Sequence, residues 1–332
     1  MPAGLSGGGY LALAHEVTKG TYIPPTDVSA VFIPFLSESF KYTEARYFSP
    51  QIRASVVQSD VKQGYYHIEG DIEFEVDPTW LPYILHASRH TPSFAGGVFT
   101  YVPSTAGATS TAAGVTNAKT ASITIVRNGV AFGYAGCVFG NLTFLVDGGI
   151  LKLRTTVMGE SDNTPGGIGT PSWVASNLLG ADAHYVRTDA AGVAPTFAGA
   201  ASLDFNGYEV SINHNAAPQN RIIAARSASY VSYGETEIGL TTQLDFIDKT
   251  EYNAFVATTA KAFRYEGLNG GATFALATTG VQIDLNRAVY ETYDLSLSGL
   301  ADIIMAGVTA KGIGITGGTA YKIKVKSPTT IA

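Results

Sequence analysis

The sequence has a single cysteine, Cys137, among 332 residues. No intrachain disulfide can form, and no cysteine-based zinc site can be built. Charge is also scarce: only 14% of residues are Asp, Glu, Lys or Arg, and the net charge is −6. No block of Lys and Arg occurs, which argues against a chain that grips a nucleic-acid backbone, since that needs a basic footprint. No apolar run approaches the roughly 20 residues needed to span a bilayer. The opening MPAGLSGGGYLALAHE lacks a charged n-region and a long apolar h-region, so no signal peptide is expected. There is no Walker sequence, and GGIGTPS (166–172) lacks the strand-to-helix setting of a phosphate loop. These absences point to a soluble chain made in a cytoplasm.

What is plentiful is glycine (37) and aromatic residues (18 Tyr, 16 Phe), with 45% hydrophobic residues to fill a core. Gly-rich turns with many aromatics favour β structure. Residues 1–20 read as a flexible N-terminal arm. Strand patterns run through AVFIPFLSESFKY, QIRASVVQ and YYHIEGDIEFEVD. In DPTWLPYILHAS, Asp77 is placed to cap a helix with Pro78 at its first position. Residues 91–120, rich in Gly, Ala, Ser and Thr, read as a long loop. Strands resume over ASITIVRNGVAFGYAGCVFGNLTFLVDGGILKLRTTVMGE, separated by the hairpin signals Asn128-Gly129 and Asp147-Gly148-Gly149. Residues 161–200 read as a linker by composition.

The second half repeats this order. GYYHIEGDIEFEV (64–76) aligns with GETEIGLTTQLDF (234–246) at an offset of 170. Gly64 meets Gly234, Ile68 meets Ile238, Phe74 meets Leu244 and Val76 meets Phe246. Each strand leads into an Asp-initiated helix; in the second copy Asp248 and Glu251 have capping-box spacing. Each is preceded by a hairpin carrying Pro-Gln-x-Arg. The expected fold is mainly β: two tandem antiparallel β-sandwich or barrel domains, 21–160 and 201–332, each with one flanking α-helix.

Three segments carry a resemblance: VFIPFLSESFKYTEARYFSPQIRASVVQ, GYYHIEGDIEFEVDPTWLPYIL, and the run YAGC…NLTF…GGILKL…GE. Together they resemble the tail tube (major tail) proteins of long-tailed bacteriophages, and residues 204–325 resemble them more loosely. The resemblance implies a non-enzymatic structural virion protein without cofactor or metal. Its subunits form rings that stack into a hollow tube, assembled in the host bacterial cytoplasm around a tape measure protein. The tube meets tail terminator and baseplate or tip proteins, and DNA later passes through its lumen. With two domains per chain, three copies would make a pseudo-hexameric ring. The tube of a contractile injection device is the near alternative. A β-sandwich carbohydrate-binding or hydrolase protein is the alternative of another class.

In IEGDIEFEVD (68–77), apolar and acidic residues alternate. By itself the row Glu69, Asp71, Glu73, Glu75 fits a solvated strand face. Residues i and i+2 lie roughly 6.6 Å apart on a strand, within the separation of about 5–9 Å of a glycosidase carboxylate pair, but nothing marks one of the row as desolvated. A calcium site needs ligands that converge, and a straight strand disperses them. The resemblance implies that Glu69, Asp71, Glu73 and Glu75, with Glu237 and Asp245 of the second copy, face the lumen. It assigns ring stacking to the two hairpins: Glu44, Arg46, Gln51 and Arg53, then Asn215, Gln219 and Arg221. Gly4 to Gly8 matches a G-x-S-x-G pattern without the strand a nucleophile elbow needs. His86 and His90 have metal-ligand spacing without an acidic partner. The last strand, YKIKVK, puts Lys322, Lys324 and Lys326 on one face. That suits either a protected edge or an acidic neighbour.

Overall fold

The computed structural model describes residues 9–48, 61–104, 120–165, 167–173, 176–180, 184–197, 202–203, 205–220, 225–271, 273–295 and 304–327. Strands are β1 (Tyr10–His15), β2 (Val31–Ile33), β3 (Ser37–Glu38), β4 (Lys41–Phe48) and β5 (Val61–Glu75). Helix α1 (Leu81–His86) follows, then β6 (His90–Ala95), β7 (Val98–Pro103), β8 (Ala121–Arg127), β9 (Val130–Asp147), β10 (Ile150–Gly159), β11 (Ser161–Asn163) and β12 (His184–Ala190). The chain continues with β13 (Ser202–Leu203), β14 (Phe205–Asn213), β15 (Ala217–Gln219), β16 (Tyr230–Ser232), β17 (Glu237–Asp245) and helix α2 (Thr250–Val256). It ends with β18 (Lys261–Asn269), β19 (Thr279–Leu295), β20 (Met305–Gly312) and β21 (Tyr321–Lys326).

The protein is mainly β, and every strand ladder is antiparallel. One layer is a continuous run of strands in the order β4-β5-β10-β9-β14-β17-β20-β19. A second layer holds β2-β1-β8 on one side and β12-β18 with β21-β7-β6 on the other. The long strands β9 and β19 belong to both layers. The first part of β9 pairs with β8 and its last part with β10; β19 does the same with β18 and β20. Each bends at an extra residue, Gly140 in β9 and Glu291 in β19, where the ladder skips one position. Such bulges turn a strand out of its plane. One hydrophobic core fills the space between the layers across the whole length, from Leu11 through Phe74, Phe144 and Ile212 to Val325.

The two hairpins keep a common register. Lys41 lies opposite Glu69 and Phe48 opposite Val61; 170 residues on, Ser211 lies opposite Gly239 and Pro218 opposite Val231. The bulges of β9 and β19 are likewise 151 residues apart, 140 to 291.

Several expectations need correction. Residues 10–15 are not a free arm: β1 is buried almost throughout, with Leu11 and Leu13 in the core. The stretch from 91 is not all loop. It holds the hairpin β6–β7, turned by Gly96 and Gly97 at positive φ, as a two-residue hairpin turn requires. β7 pairs with β21, so sheet pairing ties the first half of the chain to its last strand. The stretch 161–200 contains β11 and β12, which are ladder strands rather than linker. β21 is no edge, since it lies between β19 and β7 with Tyr321, Ile323 and Val325 buried. Burial there pulls the Lys324 ammonium below its ordinary pKa. The helix caps fall elsewhere too. Asp77 accepts from the Thr79 amide at 2.8 Å and closes the turn before α1, whose N-cap is Trp80. Asp248 accepts from the Thr250 amide at 2.7 Å, with Lys249 at the N-cap of α2. Glu251 makes no capping box; its carboxylate takes Lys261 at 3.1 Å and the Tyr290 hydroxyl.

Candidate functional site

The outer face of the eight-strand layer is a broad polar surface. Alternation puts Ile68, Ile72 and Phe74 of β5 in the core and Glu69, Asp71, Glu73 and Glu75 on the opposite side. The same face continues through Glu209 of β14, exposed Glu237 and half-buried Asp245 of β17, and Asp294 of β19.

The acidic row is not bare. The register sets Arg154 opposite Glu73, Lys152 opposite Glu75, and Lys41 opposite Glu69. Lys41 bonds Glu69 at 2.8 Å and Arg154 approaches Glu73 at 3.5 Å. Thr156 donates to Asp71 at 2.7 Å. The Lys41 ammonium, with help from Thr43 and His67, holds the Glu69 carboxyl below its ordinary pKa. These cations were missed when the acidic strand was read alone, although the alternation in LKLRT (151–155) placed Lys152 and Arg154 on one face. With Asp147 of β9, bonded by Lys152 at 2.6 Å, and Lys311 of β20, the face carries nine carboxylates against four basic groups among the described residues.

The hairpin residues have other tasks. Glu44 is ion-paired to Arg226, which also donates to Gln63 at 2.8 Å and lies over the Tyr66 ring. The second hairpin thus folds back onto β5, where the Tyr66 amide bonds the Arg226 carbonyl. Asn215 turns the chain at φ 48° and donates to the Glu235 carbonyl at 2.8 Å; Gln219 donates to Ser232 at 2.8 Å. Arg46 is exposed, with Glu44 at 3.5 Å. Gln51, Arg53, Arg221 and the Gly4–Gly8 pattern lie outside the described residues. His86 and His90 do not converge on a common point: His86 bonds Tyr101 at 3.1 Å, and His90 bonds Ser88 and Tyr321 at 2.5 and 2.9 Å.

Two further features lie at opposite ends of β5. At its start, paired across the hairpin, Tyr47, Phe48 and Val61 are exposed. At its end, a cavity of about 420 Å³ is lined by Phe35, Leu36, Trp80, Trp173 and Leu178, with Glu75 and Asp77 at its wall.

The structure is thus a layered antiparallel one with a broad polar sheet face. In agreement, the family model described as phage tail tube protein matches residues 8–314. The chain belongs to the phage tail tube protein family and is a structural protein of the viral tail. No curated protein matches it.

Proposed function

We propose that the chain forms the wall of the tail tube, three copies to a ring, with the polar face of the eight-strand layer turned to the lumen. One observation carries this. Within the chain, β9 (Asn141 to Val146) joins edge to edge with β14 (Tyr208 to Asn213). Among the described residues the two ends of the layer are the matching edges left over: there β19 beyond Ala288 is paired only with β20, and β4 only with β5. Tyr42 and Leu295, both 43% exposed on the core side of these edges, would be covered by a neighbour. The common register of the hairpins and the repeated bulge support a duplicated tube domain, about 21–160 and 201–332. Three chains then give a barrel of about 24 strands, wider than the roughly 16–18 that already leave an aqueous channel.

In that arrangement the face presents more negative than positive charge to the lumen. A net negative wall repels phosphate, so DNA passes without adhering. The paired cations lower the field rather than abolish it. The tape measure protein occupies the lumen during assembly, and the terminator and baseplate proteins meet the two ends. Electron microscopy of the concentrated protein should show hollow tubes with three chains per ring; six full chains per ring would refute the three-fold reading.

Stacking is best assigned to the two ends of β5. The described part of the first hairpin ends in exposed Tyr47 and Phe48, with basic Lys62 beside them, and the cavity at the far end is apolar with acidic Glu75 and Asp77. The second hairpin, held by Arg226, is braced within its own chain. Phe48→Glu should therefore leave a folded protein that forms rings without tubes, read by negative-stain microscopy beside wild type. Tubes of normal length would remove the hairpin from stacking.

A further inference from the structure

The edges that would close the ring differ in chemistry from the joint inside the chain, and the repeat allows the difference to be located residue by residue. At the internal joint Asn141 faces Asn213, Leu142 faces Ile212 and Thr143 faces Ser211. At the bulge, a β carbon added to Gly140 would stand 2.6 Å from that of Ala216. The joint carries no charge at these positions and is closely packed. Moving on by the offsets of the repeat, 151 for β9 and minus 170 for β14, gives the corresponding positions at the open edges. Asn141 and Asn213 become Thr292 and Thr43. Leu142 and Ile212 become Tyr293 and Tyr42. Thr143 and Ser211 become Asp294 and Lys41. Gly140 and Ala216 become Glu291 and Arg46.

Two of these four contacts have turned from neutral to oppositely charged. The charged groups are accessible: the side chains of Lys41 and Arg46 are 65% and 67% exposed, and Glu291 and Asp294 are exposed. We infer that copies of this chain recognise one another through Asp294 on Lys41 and Glu291 on Arg46, in the register already used between β9 and β14. The inference rests on the tube reading. Lys41 would then lie between Glu69 of its own chain and Asp294 of the next, a carboxylate–ammonium–carboxylate row across three strands. At Glu291 and Arg46 both residues have a β carbon, so this joint opens slightly where Gly140 allows close approach, and the long side chains span the gap.

The device separates two tasks. The internal joint must never open, and at these positions it is uncharged and tight. The joint between copies must stay apart in solution and close in one register. Complementary charge suits that, because it steers encounter and penalises wrong pairings. Charged side chains also guard an open strand edge against indiscriminate pairing.

The test is charge reversal with restoration. Arg46→Glu and Glu291→Arg, each alone, should raise the protein concentration needed for assembly at least about ten-fold, given three altered joints per ring and repulsion in place of attraction. Combining them should restore it to near the wild-type value, as should Lys41→Glu with Asp294→Lys. In parallel, Thr43→Cys with Thr292→Cys should give, after oxidation, covalent species that stop at three chains. Cys137 does not compete, because it is buried and burial pushes its thiol pKa well up. If wild type builds tubes but the double reversal fails to recover and the cysteine pair does not link, the register is overturned and the tube reading stands. If wild type builds neither rings nor tubes under any condition, the tube reading falls and takes this inference with it.

Discussion

Gly140→Val is expected to lower the stability of the monomer by about 2–3 kcal/mol, the cost of overpacking a site that cannot relax. Gly140 is fully buried at the bulge of β9, its carbonyl accepts the His214 amide at 2.8 Å, and its missing side chain leaves the room that the Ala216 methyl fills. Its φ is not among the positive ones, so any residue can adopt the backbone and the penalty is purely steric. Even alanine would put two β carbons 2.6 Å apart. Urea midpoints should therefore fall for Gly140→Ala and further for Gly140→Val. Ala216→Gly should recover most of the alanine loss, because the two sites touch and their effects are not additive. An unchanged midpoint for Gly140→Val would mean that the halves are not locked at this joint. At Glu291, the bulge of β19, the described ladder partner is β20 on one side, and a large exposed side chain stands where the bulge of β9 has glycine.

Most of the layered β architecture was legible in the sequence because alternation along β5, β10 and β17 is strict and the turn glycines stand where two-residue hairpins need them. The offset of 170 read between residues 64–76 and 234–246 is also the spacing between the registers of the two hairpins. The misreadings share a cause. Tyr10–His15 forms a strand buried on both faces, and YLALAH after a glycine run shows no alternation. β6 and β7 open a stretch rich in small residues; they pair with each other, and β7 pairs with β21, far away in sequence. The lysines of YKIKVK suggested an edge, but β7 covers that side. The acidic face was visible in β5, whereas its neutralisation came from β4 and β10, and cross-strand neighbours cannot be read from one strand.

Acidification should destabilise the monomer from inside that same junction. His90 and His214 are buried with their rings 5.2 Å apart. His90 faces Ser88, Tyr101 and Tyr321; His214 faces Thr236, Tyr233 and the cationic Arg89. Burial depresses both pKa values, with the neighbouring His214 adding to the effect on His90 and Arg89 to that on His214, which is lowered to about 3. In the unfolded chain both titrate near 6.5. Above that pH neither state is protonated and full stability is present. As pH falls below 6.5 the unfolded chain takes up protons that the folded chain refuses, and stability drops; for His214 the loss runs to about pH 3. His214 contributes about 1.4 kcal/mol per pH unit in that window, and His90 acts in the same direction. Glu160 works in the opposite sense: burial raises its pKa from 4.5 to about 7 against the nearby Lys19, so its contribution is present below 4.5 and lost as pH rises through 7. Between 6.5 and 4.5 it offsets part of the loss from the histidines; below 4.5 that offset is gone and the fall steepens. Urea titrations at half-unit steps from pH 7.5 to 3.5 would show the steepening. His214→Asn, which removes a ring nitrogen that is buried without a bond, should flatten the curve by about 1.4 kcal/mol per unit relative to wild type. Parallel curves for the two proteins would show that His214 takes up its proton in the folded state.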